Sequence, residues 1–266
     1  MISMNFSFKR FLDTFVPGFM VTIFVWYAYR PYINLYFPSI AFDSADLTFS
    51  NEVKIIFLLV LSFFLGILIN HFSDSTLALI YPHNDSEKSK RPFKRLASFF
   101  FGLISWNNND DPRIYSLKRY LKSNRKKVVL ELLEDWCMTN EDLLNSDVNE
   151  YIISHQHLGV RLRALKSESE KIFNDSLAEV NFAASLLTSM LIIFPLTIIV
   201  LVLNNFSNIT TNMAFMNNST LIIFLILEYV VSCLFCFSLV RRFRHFSSQI
   251  ITIAIHFYEE SKKMTS

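Results

Sequence analysis

The chain has 266 residues, 52% apolar and only 18% charged, whereas soluble domains carry about 25% charged residues. Net charge is +2, with 4 Gly and 3 Cys. That composition excludes a disulfide framework and a Gly-rich phosphate loop, argues against close helix crossings built on Gly, and points to an all-α polytopic membrane protein.

The first apolar stretch runs from about Phe11 to Tyr29, behind Lys9 and Arg10. Trp26, Tyr27 and Tyr29 mark its far end, where aromatic rings favour the headgroup level. Arg30-Pro31-Tyr32 follows in place of a cleavage site, so an uncleaved signal anchor is expected. Pro17 and Gly18 predict a hinge or a late helix start. A second span covers about Lys54 to Phe72, and its helix extends towards Ile80 before Tyr81-Pro82. Residues 1–81 thus form a first transmembrane hairpin.

Residues 82–179 read as a helical cytoplasmic segment. Pro92 to Trp106 is apolar but too short to span, which predicts an interfacial or core helix. Asn107 to Pro112 reads as a loop. Arg113 to Trp136 reads as one helix with a basic first half: Lys118, Arg119, Lys122, Arg125, Lys126 and Lys127. Thr139 with Asp142 reads as a helix N-cap with an acidic third position. His155 and His157 are two apart and diverge on a helix, so no metal site is expected.

A second hairpin, 180–240, has spans at about 180–203 and 220–240. Pro195 inside the third span predicts a bend. Residues 241–266 form a C-terminal stalk, with Phe243, Phe246, Ile250, Ile253 and Phe257 on one face. Leu158, Leu162, Leu165, Ser169 and Ile172 have the same spacing before the third span, so the two stalks are expected to pair. Cys233 and Cys236, inside the fourth span, read as packing residues.

Orientation follows Lys and Arg at the span ends. Lys9 and Arg10, the group Lys88, Lys90, Arg91, Lys94 and Arg95, and the trio Arg241, Arg242 and Arg244 fall on one side. The segment from Asn204 to Ser219 has no charge, and its sequons at Asn205 and Asn208 read as accidental. Both termini and the middle segment are therefore expected in the cytoplasm of a bacterial inner membrane.

Glu228 is the sharpest functional signal. It sits near mid-span with no Lys or Arg in any span to pair with, so it must be protonated, hydrogen-bonded or facing water. Thr22, Ser62, Thr188 and Ser189 lie at similar depth and are its expected partners in a pore or polar seam. Asn70, His71 and Asp74 form a second candidate, a polar cluster on one helix face at the interface. Lys94, Arg95 and the run from Lys118 to Lys127 are candidates for phosphate or lipid contact. No enzyme motif is present, and no catalytic residue, cofactor or metal is expected.

The run Phe11-Leu12 with Phe15-Val16-Pro17-Gly18-Phe19-Met20 resembles the opening of small bacterial four-pass inner-membrane proteins, some of which accompany phage-defence genes. The resemblance implies a membrane effector or sensor and carries over no functional residue. The expected function is an oligomeric effector in which a cytoplasmic signal gates a pore, with lipid, further copies of the chain and a soluble cytoplasmic protein as partners. A nucleotide or nucleic acid is a further candidate ligand for the basic run. The alternatives are a non-conducting anchor for a soluble partner, and an enzyme using His71 and Asp74.

Overall fold

The computed structural model describes residues 8–36, 51–80, 111–164, 168–206 and 217–265. Among them every regular element is a helix: α1 Phe8–Tyr36, α2 Asn51–Ile80, α3 Pro112–Leu121, α4 Lys126–Cys137, α5 Glu141–Ser146, α6 Val148–Ala164, α7 Glu168–Phe206 and α8 Asn218–Thr265. The chain clusters into two units. One comprises residues 1–77 and 181–236, the other 78–180 and 237–266. Both α7 and α8 contribute residues to both.

The first unit holds the larger part of the candidate membrane spans, two of which run on into the second unit. Four helices are long and apolar enough to cross a bilayer, their candidate spans being Phe11–Tyr32, Glu52–Ser73, Phe173–Asn205 and Asn218–Lys263. Helix α2 leaves Ile55, Ile56, Phe57, Phe64, Leu68 and Phe72 exposed, and α8 leaves Ile222, Ile223, Ile226, Leu234 and Phe237 exposed. Such helices, apolar nearly all round, suit a lipid surround.

Within lipid, helices associate by close packing rather than by escape from water. The crossing of α1 and α2 shows how. A Cβ on Gly18 would land on the Ser62 carbonyl oxygen and lie 2.8 Å from the Gly66 Cα. A Cβ on Gly66 would strike the Thr14 carbonyl, 2.8 Å from its carbon. The low glycine count argued against such a crossing, and the structure corrects that reading. Two glycines suffice when they face each other. Pro17 and Gly18 are both buried, and α1 runs unbroken through Pro17 and Pro31.

The second unit is a helical bundle in which α6 packs on α3, α4 and α5. Asp111 caps α3, its carboxylate accepting from the Arg113 amide at 2.9 Å and from the Arg113 guanidinium at 2.7 Å. Pro112 opens the helix, where its missing N–H costs nothing. The expected single helix from Arg113 to Trp136 is in fact two. Ser123 Oγ donates to the Tyr120 carbonyl and accepts the Arg125 amide, so a serine–asparagine turn ends α3 before α4 begins. Helix α4 closes on Met138, at φ 57°, with amide bonds back to Glu134 and Leu133. The next cap is Asn140, whose side chain accepts the Leu143 amide at 2.9 Å, and not Thr139. Thr139 is buried and donates to Glu150 at 2.8 Å.

Of the stalk expected before the third span, Leu165 and the side chains of Ser169 and Ile172 lie outside the described residues. Leu158 and Leu162 belong to α6, which ends at Ala164, and α7 starts at Glu168. Pairing of the remaining part with α8 does occur. Phe173 meets Phe246 with ring centroids 5.2 Å apart, Ser176 donates to Gln249, and Arg242 reaches Glu179 at 3.3 Å. The buried face of α8 here is Phe246, Ser247, Ile250, Ile251, Ala254, Ile255 and Tyr258, wider than the anticipated heptad stripe. Ile253 and Phe257 are half-buried at its edge. The extra width serves contacts to α3 and α4: Tyr120 bonds Thr252 at 2.6 Å, Tyr258 bonds Asp135, and Lys262 pairs with Glu131 at 2.5 Å.

Candidate functional site: a buried carboxylate in a polar seam

On α8, Leu221, Glu228, Ser232 and Cys236 are buried. Their spacings of seven and four put them on one helix face, so Glu228 is carried inward by the same periodicity that buries Leu221. On α7, Ile193, Thr197 and Val200 are buried by the same logic. The two faces meet where Thr197 Oγ1 donates to Glu228 Oε1 at 3.0 Å. Glu228 is 3% exposed. Its second oxygen, Oε2, is buried and has no hydrogen-bond partner among the described residues.

Thr197 was not among the partners expected for Glu228. Those four bond elsewhere. Thr22 donates to the Gly18 carbonyl at 2.8 Å, Ser62 to the Leu58 carbonyl at 2.7 Å, Thr188 to the Ala184 carbonyl at 2.8 Å, and Ser189 to the Ser185 carbonyl at 2.9 Å. A hydroxyl on a helix readily satisfies itself on its own turn, so depth alone does not choose a partner. The signal that points to Thr197 is symmetry. In an antiparallel hairpin, residues at similar distances from the connecting segment face each other, and Thr197 and Glu228 do so.

Further polar groups line α7 on both sides of this pair. Towards its N-terminal end, Asn70 donates to Thr14 at 3.0 Å and accepts from Ser185 at 2.6 Å, tying α1, α2 and α7 together. Thr76 bonds Thr188 at 2.8 Å, and Ser189 reaches the Pro17 carbonyl at 3.2 Å. Towards its C-terminal end, Tyr29 donates to the Leu196 carbonyl at 2.9 Å, Tyr32 bonds Asn204, and Asn204 donates to Asn218 at 3.2 Å. Ile193, between Ser189 and Thr197 on α7, belongs to an apolar cluster that also takes in Ala28, Tyr32, Ile69, Val200 and Leu221 and so runs alongside both polar groups. Val21, Phe24 and Ile193 are buried in one cluster, with Phe24 stacked on Phe224 at 5.8 Å. From Ser185 to Asn204 the seam follows α7 for about 29 Å, close to the hydrocarbon thickness of about 30 Å. Pro195 is exposed beside it.

Two of the interfacial trio, Asn70 and His71, have described side chains. Asn70 joins the seam, whereas His71 is exposed and meets Phe72 edge-on at 6.2 Å. The side chain of Asp74 lies outside the described residues, as do Lys94, Arg95, the rest of the Lys88–Arg95 group, Asn208, and the segment Pro92 to Trp106.

In the second unit the basic run is divided among the end of α3, the turn and the start of α4. Lys118 sits 5.3 Å from the Tyr151 ring centroid and Lys126 pairs with Glu141 at 2.8 Å. Arg119, Lys122, Arg125 and Lys127 are exposed. His155 is buried against the Ser247 carbonyl at 3.3 Å while His157 is exposed. Burial pushes the His155 pKa down to about 4, and burial pushes the Cys137 thiol up to about 12. Neither environment resembles that of a reactive group. Cys233 and Cys236 are free thiols. No group of three His, Cys, Asp or Glu side chains among the described residues is placed to hold a metal ion.

No family model, curated protein or solved structure matches the chain.

Proposed function

We propose that the chain is a four-pass effector of the bacterial inner membrane whose membrane unit contains a closed ion path, opened by a signal to a cytoplasmic helical unit. The observation that carries this reading is the seam itself. A mere anchor has no need of polar groups distributed over the full thickness of a bilayer, because each such group is costly there unless paired. The seam pairs nearly all of them and leaves one carboxylate oxygen without a donor. Its closed element is the part of the apolar cluster held by Val21, Phe24 and Ile193, since a dry constriction of this kind blocks ions until it is wetted.

The orientation rests on the cationic flanks and the uncharged segment between the third and fourth spans. Opening is assigned to α7. Pro195 removes one backbone bond in its middle, to the Leu191 carbonyl, whereas Pro17 and Gly18 are held in the tight crossing with α2. A ligand opens the path only by binding the open form better. A setting in antiviral defence rests on the resemblance of the opening segment alone.

The second reading is a non-conducting anchor for a soluble partner. The near-complete burial of Glu228 favours it. The test is a voltage-sensitive dye in bacteria expressing wild type or Ile193→Ser at matched levels. Depolarisation by Ile193→Ser is expected, because a hydroxyl in the apolar cluster admits water. A polarised membrane in both strains, with the full-length chain retaining a soluble protein in detergent, decides for the anchor.

A further inference from the structure

We infer that the ion carried is the proton, and that Glu228 Oε2 is the atom that takes it up and hands it on. This deepens the reading above and rests on it. A metal ion entering this seam must exchange its hydration shell for protein oxygens, typically about six for a hard cation. The hydrogen bonds at Glu228 join its carboxylate to Thr197 Oγ1, which also meets the Ile193 carbonyl oxygen at 3.1 Å, a set short of that number. Among the described residues no group of three His, Cys, Asp or Glu side chains is placed to hold a metal ion, and Ile193 beside the pair belongs to an apolar cluster.

A proton asks for far less. It needs one acceptor lone pair at a time and a succession of groups or waters that both donate and accept. Glu228 Oε2 is buried and offers that lone pair. Thr197, holding Oε1, fixes the carboxyl so that Oε2 is the oxygen left for exchange. The groups beyond it are hydroxyls, phenols and amides: Tyr29, Tyr32 and Asn204 on one side, Ser189, Ser185, Asn70 and Thr14 on the other. Hydroxyls and phenols pass a proton by exchanging donor and acceptor roles. Across the apolar cluster, transfer requires water, which the opened form admits. Each passage is balanced at the carboxyl: one O–H bond forms on Oε2 from a donor on one side, and the same bond breaks to an acceptor on the other. No net charge remains on the protein.

The experiment uses the full chain in liposomes under a potassium diffusion potential, with a trapped pH dye for protons and separate potassium and sodium flux assays. The proteins are Ile193→Ser, to open the apolar cluster, and Ile193→Ser combined with Glu228→Gln. Circular dichroism and size exclusion confirm that both fold. Proton flux by the single variant, falling to the level of protein-free liposomes in the double variant, with no potassium or sodium flux, is the expected result. Potassium or sodium flux, or proton flux that survives Glu228→Gln, overturns the proton assignment and leaves the path standing. Silence towards all three ions from folded Ile193→Ser overturns the path and the proton together.

Discussion

His155 shows how a single side chain links a bundle to its solvent. It is 4% exposed, and the groups that face it are the Ser247 carbonyl on α8 and the Asp111–Arg113 pair at the start of α3. Burial lowers its folded pKa to about 4 from 6.5. Between those values the unfolded chain binds the proton and the folded chain does not. Stability is therefore full above pH 6.5 and falls as pH drops towards 4, by about 3 kcal/mol in all. Thermal melts in detergent across that range should show the second unit weakening with acid. In His155→Gln the same series should be flatter, and an unchanged slope would remove His155 as the cause. Sequence placed His155 on a helix but gave no hint of its burial, because the carbonyl that covers it comes from 92 residues away.

At the scale of elements, the α1–α2 crossing depends on the absence of two side chains. Gly66→Ala places a methyl group against the Thr14 carbonyl, a backbone atom that moves only with its helix. Overpacking of this sort costs about 1–3 kcal/mol, and denaturation in mixed detergent micelles should register it. Gly159→Ala is the control, since a Cβ there would meet only Ile250 Cδ1 at an ordinary 3.9 Å. The helices were legible wherever a long apolar run or a cap made them so: α1, α2, α7 and α8 stand close to their expected positions. Two mistakes came from the hydrogen bonds of short side chains. Ser123 split the basic helix, and Asn140 in place of Thr139 moved a cap by one residue. Asn is the somewhat better cap former of the two, and Thr139 is buried and bonded to Glu150 instead. The glycine crossing was missed because a count of residues carries no information about which ones face each other.

For the whole molecule, two compact units imply two responses to denaturant. Urea solvates apolar and peptide groups that reach water, which the spanning segments in micelles do not. Urea titration followed by circular dichroism should melt the helices of residues 111–164 first and leave a helical plateau from the spans. A single concerted loss of all helicity would contradict the division. Four-span architecture was legible from composition and hydropathy alone. The seam was legible only in part, since Glu228 announced itself as an acid in an apolar run, whereas its partner required knowing how the second hairpin folds back.

The Thr14–Asn70–Ser185 bond set has a consequence for how the protein is made. Helices α1 and α2 leave the ribosome well before α7, with all of residues 81–167 emerging in between. During that interval the first hairpin sits in the bilayer alone. Its glycine crossing closes without help, and the Asn70 amide nitrogen is already satisfied by Thr14. The Asn70 carbonyl oxygen waits until Ser185 arrives. The first hairpin is thus a template whose Asn70, Thr76, Pro17 carbonyl, Tyr29 and Tyr32 are completed when the second hairpin docks.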